Sequence, residues 1–251
     1  MGKVLLLGVS ALALVVSSAQ GEIVSLSASR DATIYEAFDG SLANGAGRYL
    51  FAGKNNQNRA RRALIHFDLT GVVPSDAVIT SARLTLHMSQ AAGGPSAIRL
   101  HRGLASWTTG SSDPDDPEGS GTSATAGDAT WLHASADGTG GGTPWEVIGG
   151  DFDAITSASV MTSAVGLYTF ESAQLLADVQ AFRADPAANF GWFILGDESG
   201  LGNARRFDSS EGGALGGIAP ALVIEYSTVP APSAIALLPL AALAHRRRRR
   251  A

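Results

Sequence analysis

Between Glu22 and Thr228 apolar side chains recur at every second position, a period that strands satisfy and helices do not. In Ala63 to Leu69 the core face takes Ala63, Ile65, Phe67 and Leu69, while His66 and Asp68 point outward. Ala82 to Met88 repeats the scheme with Arg83, Thr85 and His87 outward, and Ala97 to His101 and Leu222 to Tyr226 repeat it again. Strands with one wet face belong to antiparallel sheets. Phe190 to Leu195 is apolar on both faces around Gly191, which predicts a central strand covered on both sides. Gly71, Pro74-Ser75-Asp76, Gly93-Gly94-Pro95, Gly196-Asp197 and Gly212-Gly213 read as the turns between runs. The fold class expected for residues 22–228 is therefore all-β, an antiparallel β-sandwich in one domain, with no internal repeat.

One helix is expected, over about 172–184. Ser172 caps it, Leu175, Leu176, Val179 and Phe182 form one stripe, and Pro186 stops it. Asp178, Gln180 and Arg183 are expected to face water, and the helix to close one end of the sandwich. Two long loops remain, at 108–128 and 137–150, rich in glycine and small polar residues.

The two ends read as addresses. Residues 1–21 form a signal peptide: Lys3, an apolar run from Val4 to Val16, then small residues that permit cleavage after Ala19 or after Gly21. Residues 229–251 carry Pro230 and Pro232, an apolar run from Ala234 to Ala244, then Arg246, Arg247, Arg248, Arg249 and Arg250. An apolar segment with a basic stop anchors in a membrane with its cationic end on the cytoplasmic side. The run is 11 residues, and Val229 to His245 reaches 17, against the usual span of about 20. This tripartite tail resembles the PEP-CTERM sorting signal of Gram-negative bacteria that carry an exosortase. Ala231 stands where that family usually has glutamate. The resemblance implies export, transient anchoring at the inner membrane, and processing by an exosortase-type enzyme.

Composition excludes several functions. There is no cysteine, hence no disulfide, thiolate metal site or cysteine nucleophile. With the basic residues of the two ends set aside, the body keeps 12 basic against 23 acidic groups. An acidic body repels phosphate backbones, so nucleic acid is not an expected partner.

The order of motifs in the body resembles the DNRLRE domain, a jelly-roll β-sandwich of secreted bacterial proteins. The resemblance rests on Phe67-Asp68-Leu69 with Ile79 to Leu86, Ser106-Trp107-Thr108, Phe190-Gly191-Trp192, Leu195-Gly196-Asp197-Glu198 and Pro220 to Tyr226. Asp128 to His133 with Gly149-Gly150-Asp151-Phe152 resembles a subgroup found with such a tail. Some members of the wider class are similar to carbohydrate-binding modules, which implies polysaccharide as partner. It implies no fixed set of ligand residues.

Catalytic motifs are missing: there is no Gly-x-Ser-x-Gly elbow, no His-Glu-x-x-His and no Walker loop. His66, His87 and Asp68 would share a face if their strands paired, with Arg83 nearby to oppose a cation. For structural calcium the candidates are Asp113, Asp115, Asp116 and Glu118 in one loop, with Asp151 and Asp153 in the other. A solvated acidic loop is the competing reading. No other cofactor is expected. Trp192 is expected in the core, and Trp107 and Trp131 to hold the long loop against the sandwich. Trp145, beside Pro144 in a glycine-rich loop, is the candidate sugar platform. The chain is thus expected to be an exported, non-catalytic, polysaccharide-binding protein of the cell surface or matrix. A purely structural surface protein and a polysaccharide-degrading enzyme are the alternatives.

Overall fold

The computed structural model describes residues 20–228, so the tail and all but the last two residues of the leader lie outside the described residues. The strands are β1 (Gln20–Ser27), β2 (Arg30–Tyr35), β3 (Leu42–Asn44), β4 (Tyr49–Lys54), β5 (Ala60–His66), β6 (Val78–Ala91), β7 (Ser96–Gly103), β8 (Thr122–Ser123), β9 (His133–Ala136), β10 (Gly142–Pro144), β11 (Phe152–Thr162), β12 (Gly166–Glu171), β13 (Trp192–Leu195), β14 (Arg205–Asp208) and β15 (Ala221–Thr228). Two helices join them, α1 (Ala173–Ala184) and the short α2 (Ser210–Ala214).

Thirteen strands form one antiparallel sheet that folds over on itself. The front layer runs β1-β15-β6, with β12 on the far side of β6 and β14 beside its C-terminal half. The back layer holds β2, β5, β13, β7 and β11. Strand β4 belongs to both, pairing β14 in front and β5 behind. The expected alternation places Ala82, Leu84, Leu86 and Met88 of β6 inward, against Ile65, Ile98, Leu100 and Ile194 from the back layer.

A second apolar core lies on the outer face of the back layer. Ala32, Ile34, Leu64 and Phe193 point away from the main core and meet Trp107, Trp131 and Trp145 from the long connections. This is why β13 is apolar on both faces: Trp192 and Ile194 enter the main core, and Phe193 enters the second. It sits between β5 and β7, as a central strand.

Helix α1 begins where the sequence places it, with Ser172 Oγ accepting the Leu175 amide at 2.9 Å. It buries Leu175, Val179 and Phe182 and packs on β6 and β11. The expectation that Asp178 faces water is corrected. Its carboxylate is buried, accepting Trp192 Nε1 at 3.0 Å and the Ser157 hydroxyl. An acidic residue inside an apolar stripe reads as solvated until a buried indole donor turns up to meet it. Arg183 stays partly exposed and bends over the surface to donate to Ala77 O at 2.8 Å. Helix α2 replaces the turn expected at Gly212-Gly213. A Cβ on Gly212 would stand 2.1 Å from Arg48 O, so glycine is there for close approach, not for a turn.

Candidate functional site

The expected sugar platform is not exposed. Trp145 is only 5 % accessible. Its Nε1 donates to Thr130 O at 2.9 Å, and its ring meets Phe193 edge to face at 5.6 Å. The glycines that made this loop look open are what let it lie flat on the sheet. Gly150 has φ +108°, and a Cβ there would overlap the Phe193 ring at 2.2 Å. Trp107 is held the same way, its Nε1 donating to Phe190 O at 2.8 Å. Trp131 lies under the Arg62 guanidinium at 4.7 Å, and Arg62 pairs with Glu198 at 2.7 Å. All four tryptophans are buried.

The acidic residues proposed as calcium ligands do not converge either. Among the described residues no group of three or more carboxylate or imidazole side chains is placed to hold a metal ion. Asp113, Asp115 and Asp116 are exposed, whereas Glu118 is 3 % accessible and points inward. Its carboxylate accepts the amides of Arg48 and Tyr49, each at 2.9 Å, and Asn44 Nδ2 at 3.1 Å. Burial pushes the Glu118 carboxyl up, and those hydrogen bonds pull it back. Asp151 accepts the amides of Glu146 and Val147 at 2.9 and 2.7 Å, and Asp153 that of Ile155 at 2.9 Å. Buried Asp128, not singled out in the sequence, takes Gly110 N at 3.0 Å and Thr125 N at 2.6 Å. These carboxylates fasten loops to backbone amides, which is the work calcium was expected to do.

His66 and His87 fall on β5 and β6, which lie in different layers and do not pair. His66 meets Ser29 Oγ at 2.6 Å and Asn189 O at 3.2 Å, and burial lowers its pKa. His87 Nδ1 is 2.8 Å from Asp208 Oδ2.

One carboxylate pair has a buried member, Asp31, beside a half-buried one, Glu211. Asp31 on β2 is 2 % accessible and faces Glu211 of α2. Burial first, then the Glu211 charge, pushes the Asp31 carboxyl up to about 7. Ser210 donates its amide to Asp31 at 2.8 Å and its hydroxyl to Glu211 at 2.9 Å.

Open space is found elsewhere. A hollow of 540 Å³ lies between the β2–β3 connection and the β4–β5 hairpin, within the size range of small-molecule sites. Phe38 stands at its edge, 70 % accessible, with the Arg59 guanidinium 4.7 Å from the ring centre. Glu36, Asp39, Asn55, Gln57 and Ser120 supply polar groups around it. Glu36 accepts the Ala60 amide at 2.6 Å, and Asp39 accepts Ser41 Oγ at 2.7 Å, which lowers the Asp39 pKa. A second hollow of 250 Å³ adjoins it, and Asn55 and Arg61 line both. Neither is lined by any of the residues singled out from the sequence. The signal was present in Glu36-Ala37-Phe38-Asp39-Gly40, where an aromatic residue sits in a polar, glycine-ended run outside any alternation.

No family model matches the chain, and no curated protein matches it.

Proposed function

We propose that this chain is an exported, non-catalytic protein of the cell surface or extracellular matrix that binds polysaccharide in the hollow beside Phe38. The observation that carries this reading is the Phe38 ring, exposed at the rim of a hollow that mixes apolar wall with hydrogen-bonding side chains. An aromatic face stacks on the apolar C–H surface of a sugar, and the polar side chains select its hydroxyls. Phe38→Ala is expected to weaken the best glycan from an array screen about tenfold, or about 1.4 kcal/mol. Its melting temperature should stay within about 1 °C, because the ring is on the surface. Unchanged affinity in this variant would remove the site from this hollow.

We read the topology as a jelly roll of the DNRLRE type, the signal peptide as lying within residues 1–21, and 229–251 as a PEP-CTERM-like sorting and anchor segment. Gln20 and Gly21 occupy ladder positions opposite Thr228 and Ser227, which favours cleavage after Ala19 over cleavage after Gly21. Replacing Arg246 to Arg250 with glutamine removes the cytoplasmic stop. In a host with an exosortase, the variant should be retained or left uncleaved. Normal maturation and location would count against the tail reading.

A structural role is the second reading, and an apolar patch favours it. Leu104, Val147 and Ile148 are exposed around Asp151, whose main-chain oxygen takes the Leu104 amide at 2.9 Å. If no glycan binds, and Val147→Ser with Ile148→Ser releases the protein from the matrix, this reading replaces the first. A hydrolase finds less support, since Asp31 is enclosed and neither it nor Glu211 lines the two hollows.

A further inference from the structure

The smaller hollow has a charge that the rest of the body does not. Lys54, Arg61, Arg205 and Arg206 line it, and no acidic residue does. The body around it carries 12 basic and 23 acidic groups, so an arbitrary patch with four cations would hold about eight acids. Glu118 lies between two lining residues, Pro117 and Gly119, yet its carboxylate turns away to Asn44, Arg48 and Tyr49. The ion pairs among the described residues, Arg62–Glu198, Arg83–Glu225 and His87–Asp208, all lie elsewhere.

Arg61 gives the second observation. It is 8 % accessible, its Nε and Nη2 both donate to Gly119 O, and its Nη1 has no partner. A buried donor left unpaired is costly, and on a cation more so. Arg205 is fully buried, and its guanidinium meets only neutral oxygens, those of Ala92, Gly94, Asn203 and Thr162. Loss of water lowers the pKa of both side chains, the sign of charge without a compensating anion. Arg206 lies over the Tyr49 ring at 3.9 Å, and both Arg206 and Lys54 are only partly buried.

We propose that this hollow is an oxyanion site, taking a sulfate, phosphate or carboxylate group, free or borne on a larger molecule. Lys54 and Arg206 are the partly exposed cations that meet the ion. Arg61 and Arg205 add charge from the wall, and the unpartnered Nη1 of Arg61, enclosed in the ligand-free form, reaches an oxygen through a shift of its side chain on binding. Guanidinium forks suit oxyanions, and a concave, poorly hydrated wall strengthens the attraction. The site adjoins the hollow beside Phe38 and shares Asn55 and Arg61 with it, but Lys54 and Arg206 line this one alone, so their variants test it without the glycan reading.

The test is calorimetric titration of the mature protein in a low-salt, non-coordinating buffer. Sodium sulfate and sodium phosphate form one arm, and dextran sulfate against uncharged dextran the other. The expected result is saturable binding in at least one arm, with none to dextran through this site. The melting temperature should rise with anion concentration, as mass action requires. Lys54→Gln with Arg206→Gln should weaken binding tenfold or more and leave the ligand-free melt within about 2 °C. Arg61→Lys keeps a charge but loses the fork, and should weaken binding while Phe38→Ala does not. Dextran sulfate binding with no response to sulfate or phosphate assigns the site to a polymer-borne ion, and binding of the free salts assigns it to a free one. No saturable binding in either arm overturns the proposal, as does undiminished binding by the double variant.

Discussion

Trp145→Ala is expected to lower the unfolding free energy by about 3 to 5 kcal/mol, the usual cost of removing a buried indole. For a body of this size, that is a fall of about 10 °C or more in melting temperature. The cost has two parts. The cavity opens beside Phe193 and Leu64 in the second core, and the Thr130 carbonyl loses its indole donor. The loss should concentrate in the long connections, so their amides should lose hydrogen-exchange protection before those of β6 and β15 do. Sugar affinity measured on the protein that remains folded should not change, because the ring faces Phe193 and not solvent. A variant that melts with the parent would mean that the loop shell is not held by its tryptophans.

Asp31→Asn is expected to stabilise the protein at neutral and alkaline pH. The Asp31 carboxyl is raised from its ordinary 3.8 to about 7, so the folded chain keeps a proton that the unfolded chain gives up. Stability from this group is complete below about pH 4, falls as pH rises toward 7, and is level above that. A shift of this size corresponds to about 2 to 4 kcal/mol when shared with Glu211. An asparagine keeps the acceptor for the Ser210 amide and offers its NH2 to Glu211 in place of the shared proton. Chemical denaturation from pH 4 to pH 8 should therefore show parent and variant converging in acid and separating by about 2 kcal/mol at pH 8. A variant weaker than the parent at pH 8 would mean that Asp31 is ionised in the fold and held by donors.

The strands were legible in the sequence because one face of each meets a single, continuous core. Period two at Ala82 to Met88 needs no knowledge of the partner strand, and neither does the Ser172 cap with its stripe of Leu175, Val179 and Phe182. The second core was half legible. Phe193 and the tryptophans announced that something covers the back layer, but not that Trp145 belongs to the cover. A tryptophan in a glycine-rich loop has the same sequence signature whether the loop stands off the sheet or lies on it. Acidic residues were misread for a related reason. Glu118, Asp151 and Asp153 find their partners among main-chain amides, which every residue carries and no motif records. The hollows are assembled from segments far apart in the chain, from Phe38, Arg59 and Ser120 in one and Lys54, Pro117 and Arg206 in the other. No local pattern joins such residues.

The last described strand is held on both edges. β15 pairs with β1 at eight positions, from Ala221 opposite Ser27 to Thr228 opposite Gln20, and on its other edge with β6 at seven. Tension entering at Thr228 along the strand axis is therefore in shear: both ladders resist together, and no pair can open ahead of its neighbours. A pull across the strand would instead unzip β15 from β1 one pair at a time. Any tether joined to the body at Thr228 thus meets its strongest grip when flow or growth draws the molecule out lengthwise. Lifted sideways, the same strand gives way pair by pair.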